Sequence, residues 1–113
     1  MTKVKFSTSA GKFVGVECTG HSGYAEEGED IVCAALSSIV QTAVLGLMGV
    51  VGINIGYETD EEKGYLKAIL PKDMTEADEH DADVILRTAY LGVSDLYETF
   101  SDFISLEVEK LCL

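Results

Sequence analysis

Val4-Lys5-Phe6-Ser7-Thr8 alternates apolar and polar residues with the two-residue period of a half-buried strand. Ser9-Ala10-Gly11-Lys12 reads as a turn, and Phe13 to Cys18 as a second strand, so the chain opens with a predicted hairpin. From Thr19 to Glu29 the pattern dissolves into glycines and acids, which predicts a mobile loop. Asp30 then stands before a long apolar run. An aspartate can accept from the first unpaired amides of a helix, which places the helix start at Ile31 with Asp30 as its N-cap. That helix is predicted to run to Val51, with Gly52 closing it.

Ile53–Glu58 and Tyr65–Leu70 read as two further strands joined by the charged segment Thr59 to Gly64, and Pro71 ends the unit. Thr75 to Asp83 is acid-rich, as suits the positive end of a helix dipole. Val84, Ile85, Thr88, Leu91, Leu96 and Phe100 carry a second helix onward. Ile104, Leu106 and Val108 alternate with Ser105, Glu107 and Glu109, a closing strand. The expected fold is α+β: a single domain over residues 1–113 in ββαββαβ order, with an antiparallel or mixed sheet packed against two helices.

With 113 residues the chain has surface enough for one ordinary core. Its charge narrows the choice of partners. Eight Lys plus Arg against 20 Asp plus Glu give a formal charge of −12. A surface that tracks phosphates needs clustered cations, so direct nucleic-acid binding is not expected; a basic protein or peptide is the partner such a field attracts. Solubility alone accounts for the acidity equally well.

Ile31 to Ile55 has the length of a membrane span, but it carries Ser37, Ser38, Gln41 and Thr42 and has acidic flanks. A helix buried within a compact protein is the reading preferred, and no membrane partner is expected. The three cysteines, Cys18, Cys33 and Cys112, form no CxxC pair, and the first residues do not have the build of a signal peptide. A reducing cytoplasm without disulfides is the expected setting.

The chemistry concentrates between Gly20 and Ser37. With Asp30 as N-cap, Cys33 is the third helical residue. A thiolate there feels the positive end of the helix, and nearby free amides can hold an oxyanion. A small buried residue on an apolar helix is the plainer account of Cys33. His21 lies twelve positions earlier across a flexible segment, and an imidazole can take the thiol proton and return it to a leaving amine. An exposed loop histidine is the alternative. Asp30 fits a cap or an orienter of His21. Ser37, one helical turn beyond Cys33, fits a site-lining hydroxyl or one bonded back to the carbonyl four residues earlier.

Metal binding competes: Cys18-x-x-His21 with Cys33 and Cys112 or His80 could supply zinc ligands. The second half offers no matching short pair, so neither metal nor other cofactor is expected. No lysine follows the glycines in the manner of a phosphate loop.

The segment Gly20-His21-Ser22-Gly23-Tyr24-Ala25-Glu26-Glu27-Gly28-Glu29-Asp30-Ile31-Val32-Cys33-Ala34-Ala35-Leu36-Ser37 resembles the signature of the bacterial ribosomal-processing cysteine protease family. Ser22 stands where that signature has Ala. Length, element order and the acidic second helix are also similar. The resemblance implies that His21 and Cys33 form a catalytic dyad, and that Gly20, Asp30 and Ser37 are motif positions near the site. It implies a thiol protease of ribosome biogenesis. Its substrate would be a large-subunit ribosomal protein, L-twenty-seven, whose short N-terminal extension it removes. It further implies a homodimer with a mobile loop near the site. A first helix apolar nearly all round agrees, since one sheet cannot cover it. The rival from another class is a non-enzymatic acidic adaptor or assembly module for basic ribosomal proteins.

Overall fold

The computed structural model describes residues 1–20 and 27–111, with the backbone only at 27–30. The elements follow the expected order: β1 (Thr2–Ser9), β2 (Lys12–Thr19), α1 (Glu27–Gly46, extended by a π-helical turn Leu47–Val51), β3 (Gly56–Asp60), β4 (Tyr65–Ile69), α2 (Glu76–Thr99) and β5 (Ile104–Lys110). They build one α+β domain, a five-stranded sheet in the order β3-β4-β2-β1-β5 with both helices on one face. The sheet is mixed: β5 joins β1 in parallel, whereas the β1–β2, β2–β4 and β3–β4 pairs are antiparallel.

The two-residue period sets which side chains face the helices. Thr2, Val4 and Phe6 are buried, while Lys3 and Lys5 point the other way. Along α1 the buried positions Val32, Leu36, Val40, Val44 and Leu47 recur at three- and four-residue spacing. Ala82, Leu86, Ala89 and Val93 do the same on α2. Thr75 caps α2: its hydroxyl accepts from the Asp78 amide at 3.1 Å, with Glu76, Asp78 and Glu79 in the first turn. Gly52 ends the first helix in the left-handed region, φ 79°, as its position after the apolar run predicted.

Three expectations are corrected. The first helix begins at Glu27, so Asp30 has a helical backbone and is its fourth residue, not its N-cap. Glu27, Glu29 and Asp30 all suit the positive end of the dipole, and Gly28 does not stop a helix so favoured. Residues 27–29 therefore do not belong to a loop. The third strand begins at Gly56 rather than Ile53, because pairing with β4 starts only at Gly56 opposite Ile69; Ile53 and Ile55 pack on the core as a connection. The apolar helix is also not buried all round. Ile31–Val51 is long and apolar enough to cross a membrane, mean hydropathy 2.0, and 33% of its 18-residue apolar window is buried here. Ile31, Leu45, Met48 and Val50 are exposed on its far side.

Candidate active site

The end of the sheet that carries the candidate site is shaped first by a glycine. Gly20 leaves β2 with φ +135°, and a Cβ there would lie 2.4 Å from the Met1 carbonyl oxygen and 2.8 Å from the Thr2 Cα. Only glycine fits both the dihedral and the approach of β1. Gly20 thus has a backbone role: it turns the chain toward His21. His21 itself, with Ser22 to Glu26, lies outside the described residues.

Cys33 is half-buried and lines a cleft of about 430 Å³ between α1 and the β3–β4 wing of the sheet. Register explains the floor. Cys18 pairs with Leu66, and Leu66 with Thr59, so these side chains run in a row across β2, β4 and β3 on the helix side. Cys33, Ser37, Val40 and Gln41 form the opposite wall at successive helical turns. Tyr57, Asp60, Glu61, Gly64 and Tyr65 close it from the β3–β4 hairpin, and Thr2 reaches it from the first strand. Ser37 is thereby placed in the same cleft as Cys33. Thr42 and Thr88 do bond back to carbonyls four residues earlier; among the described residues Ser37 makes no such bond.

The two described thiols differ. Cys18 is 6% exposed, and its thiol is pushed up to about 11, first by burial and then by the nearby Cys33. It stays protonated and unreactive at neutral pH. Cys33 is the thiol that opens on the cleft. Counted from Glu27, however, Cys33 is the seventh helical residue rather than the third. Its amide lies within the helical ladder, so Cys33 is not among the first-turn residues whose amides open the helix. Tyr65 donates its hydroxyl proton to Glu17 at 2.8 Å, and that bond holds the hydroxyl up to about 12.

Asp30 stands one turn before Cys33 on the same helix, within its first turns. His80 is exposed on α2 beside Asp81 and does not line the cleft. Among the described residues no three of His, Cys, Asp and Glu gather as a metal-holding group. A larger cavity, about 570 Å³, lies at the other end of the sheet among Lys12, Phe13, Leu70, Pro71 and Met74. Among the described residues its lining holds no thiol or imidazole. Sequence reasoning missed the hairpin wall of Tyr57, Thr59, Asp60, Glu61 and Tyr65. The charged segment 59–64 signalled a turn, but nothing local signalled that it folds back toward α1.

Comparison with known proteins identifies the family. A family model described as "Cysteine protease Prp" matches residues 1–105. The ribosomal processing cysteine protease Prp of Bacillus subtilis (strain 168) is 24% identical over 86 residues, covering 76% of this chain and 77% of that protein. Among solved structures, SMU.848 from Streptococcus mutans superposes with a TM-score of 0.86 at 29% identity, covering 98% of this chain and 96% of that one. The S. aureus ribosomal processing protease Prp, in complex with a substrate peptide, has a TM-score of 0.84 at 23% identity over 96% of this chain and all of its own; at that identity it speaks for the fold. The chain belongs to the Prp family of cysteine proteases.

Proposed function

We propose that this protein removes the short N-terminal extension of the large-subunit ribosomal protein L-twenty-seven, with Cys33 as nucleophile and His21 as its acid/base partner. The observation that carries this reading is the placement of Cys33: a half-buried thiol opening on a cleft, beside a second thiol that burial silences. The B. subtilis relative is a ribosomal processing protease, and the S. aureus protein has been captured with a substrate peptide and with a covalently linked product peptide. A covalent product is what nucleophilic catalysis predicts.

In the proposed mechanism the Cys33 sulfur attacks the scissile carbonyl while His21 takes the thiol proton. The imidazolium then protonates the departing amine as the C–N bond breaks, leaving a thioester on Cys33. Water activated by His21 adds to that thioester, and the freed thiol regains its proton. Ser37 lines the peptide path one turn from the sulfur. Asp30 lies on the helix that carries Cys33.

The setting proposed is the cytoplasm, with a basic protein rather than nucleic acid or membrane as the partner. A homodimer is also proposed. The exposed Ile31, Leu45, Met48 and Val50 on α1, with Val84 and Leu91 on α2, favour a second copy over solvent. Incubating the purified protein with the extended ribosomal protein and weighing the products tests the function. A single shortened product with wild type and none with Cys33→Ala is expected; an uncut substrate removes the assignment.

A further inference from the structure

The cleft beside Cys33 is acidic, and its charge is uncompensated. Four carboxylates elsewhere are matched by Lys or Arg: Lys5 lies 3.7 Å from Glu17 and 3.2 Å from Glu109, Lys12 lies 3.5 Å from Glu79, and Arg87 lies 2.8 Å from Asp83. Asp60 and Glu61, where β3 enters its turn, have no ion pair among the described residues, and no lysine or arginine lines their cleft. Among the described residues Asp60 accepts one turn-closing bond, from the Lys63 amide at 3.3 Å, through one carboxylate oxygen.

A second, independent sign that this cleft is built for a ligand lies at its floor. Thr2 lines it and is 1% exposed, yet its hydroxyl has no hydrogen-bond partner among the described residues. Buried hydroxyls are nearly always paired, and an orphan in a cleft that holds a nucleophile leaves a polar position for an incoming peptide to complete. A volume of about 430 Å³ falls in the range of ligand sites.

We infer that Asp60 and Glu61 seat a lysine or arginine side chain of the substrate peptide beside Cys33, so that cleavage is directed to a bond within a few residues of a basic one. The inference rests on Cys33 as the nucleophile and adds what the cleft selects. The carboxylates are 2-sided in their effect: they draw a cation toward the thiol and disfavour an acidic peptide in the same place. Because Glu61 is exposed, the preference is modest and falls with salt.

The test measures kcat/KM on short fluorogenic peptides spanning the cleavage site, with each Lys or Arg replaced in turn by Gln. Wild type, Glu61→Gln and Glu61→Lys are compared, with Tm as a check of folding. The same peptides are titrated onto Cys33→Ala. One replacement is expected to lower the wild-type kcat/KM about tenfold, a discrimination halved or better by Glu61→Gln and abolished by Glu61→Lys. Cys33→Ala should show the same preference in binding. Equal cutting of all peptides by wild type, or an undiminished preference in a folded Glu61→Lys, overturns the inference and spares the protease reading. Cleavage by Cys33→Ala with a preserved charge preference in binding does the reverse.

Discussion

The two ends of the sheet contrast in how fully their polar groups are matched. At the hairpin end, Ala10 and Gly11 turn the chain with φ 52° and 81°, and α2 pins that turn. Asp83 accepts from the Phe13 amide at 2.7 Å and from Arg87 at 2.8 Å; Arg87 donates to the Gly11 carbonyl at 2.6 Å and lies 5.0 Å over the Phe13 ring. Phe6, Phe13 and Tyr90 fill the space beneath with edge-on contacts. At the cleft end, among the described residues, the Thr2 hydroxyl is unpaired and Asp60 and Glu61 lack cations, and Cys33 is half-exposed. One end is satisfied by its own chain; the other leaves groups for a substrate to satisfy, as a site that trades stability for function does.

The contrast can be broken first at the sulfur. Cys33→Ala should lower kcat/KM at least about a thousandfold while leaving Tm within a few degrees. Cys18→Ala should do the opposite, retaining cleavage while costing about 1–3 kcal/mol in a urea titration, since its side chain is core. The core beneath the cleft comes next. Leu36→Ala, at 0% exposure, should cost about 2–5 kcal/mol by the same measurement. Gly20→Ala should cost about 2–4 kcal/mol and also reduce kcat, because it displaces both the β1 start and the chain entering His21.

The satisfied end gives a smaller effect. Arg87→Ala should cost about 1 kcal/mol and leave kcat/KM near wild type, since no part of that turn approaches the cleft. The finest distinction is one of reactivity. Below about pH 9 Cys18 is protonated in both folded and unfolded chains, so its contribution to stability is full there. That contribution is lost as pH rises through its folded value of about 11. At pH 8, iodoacetamide should therefore label Cys33 at least about tenfold faster than Cys18, read by peptide mapping, and the gap should close in urea.

Much of the fold was legible because its signals are local. Alternation at Val4–Thr8 and Ile104–Val108, the left-handed Gly52 and the acidic start after Thr75 each act within a few residues. The errors came where two local signals competed. Asp30 has the chemistry of a cap, but Glu27 and Glu29 favour helix just as well, and the earlier start won. Ile53 and Ile55 have strand periodicity but no strand partner until Gly56. The motif pointed to Cys33 and Ser37, which line the cleft, and to Gly20 at the end of β2, although Cys33 is not in the first turn of the longer helix. The wall from Tyr57 to Tyr65 was not legible, since only the long-range β2–β4–β3 register brings it opposite α1.

The central claim is that acyl transfer occurs on the sulfur of Cys33. Rapid acid quench of wild type with the extended ribosomal protein, followed by digestion and mass mapping, reads this directly. A transient peptide thioester on the Cys33 fragment is predicted, absent from Cys33→Ala. Turnover by Cys33→Ala, or an acyl group trapped on any other residue, contradicts the account.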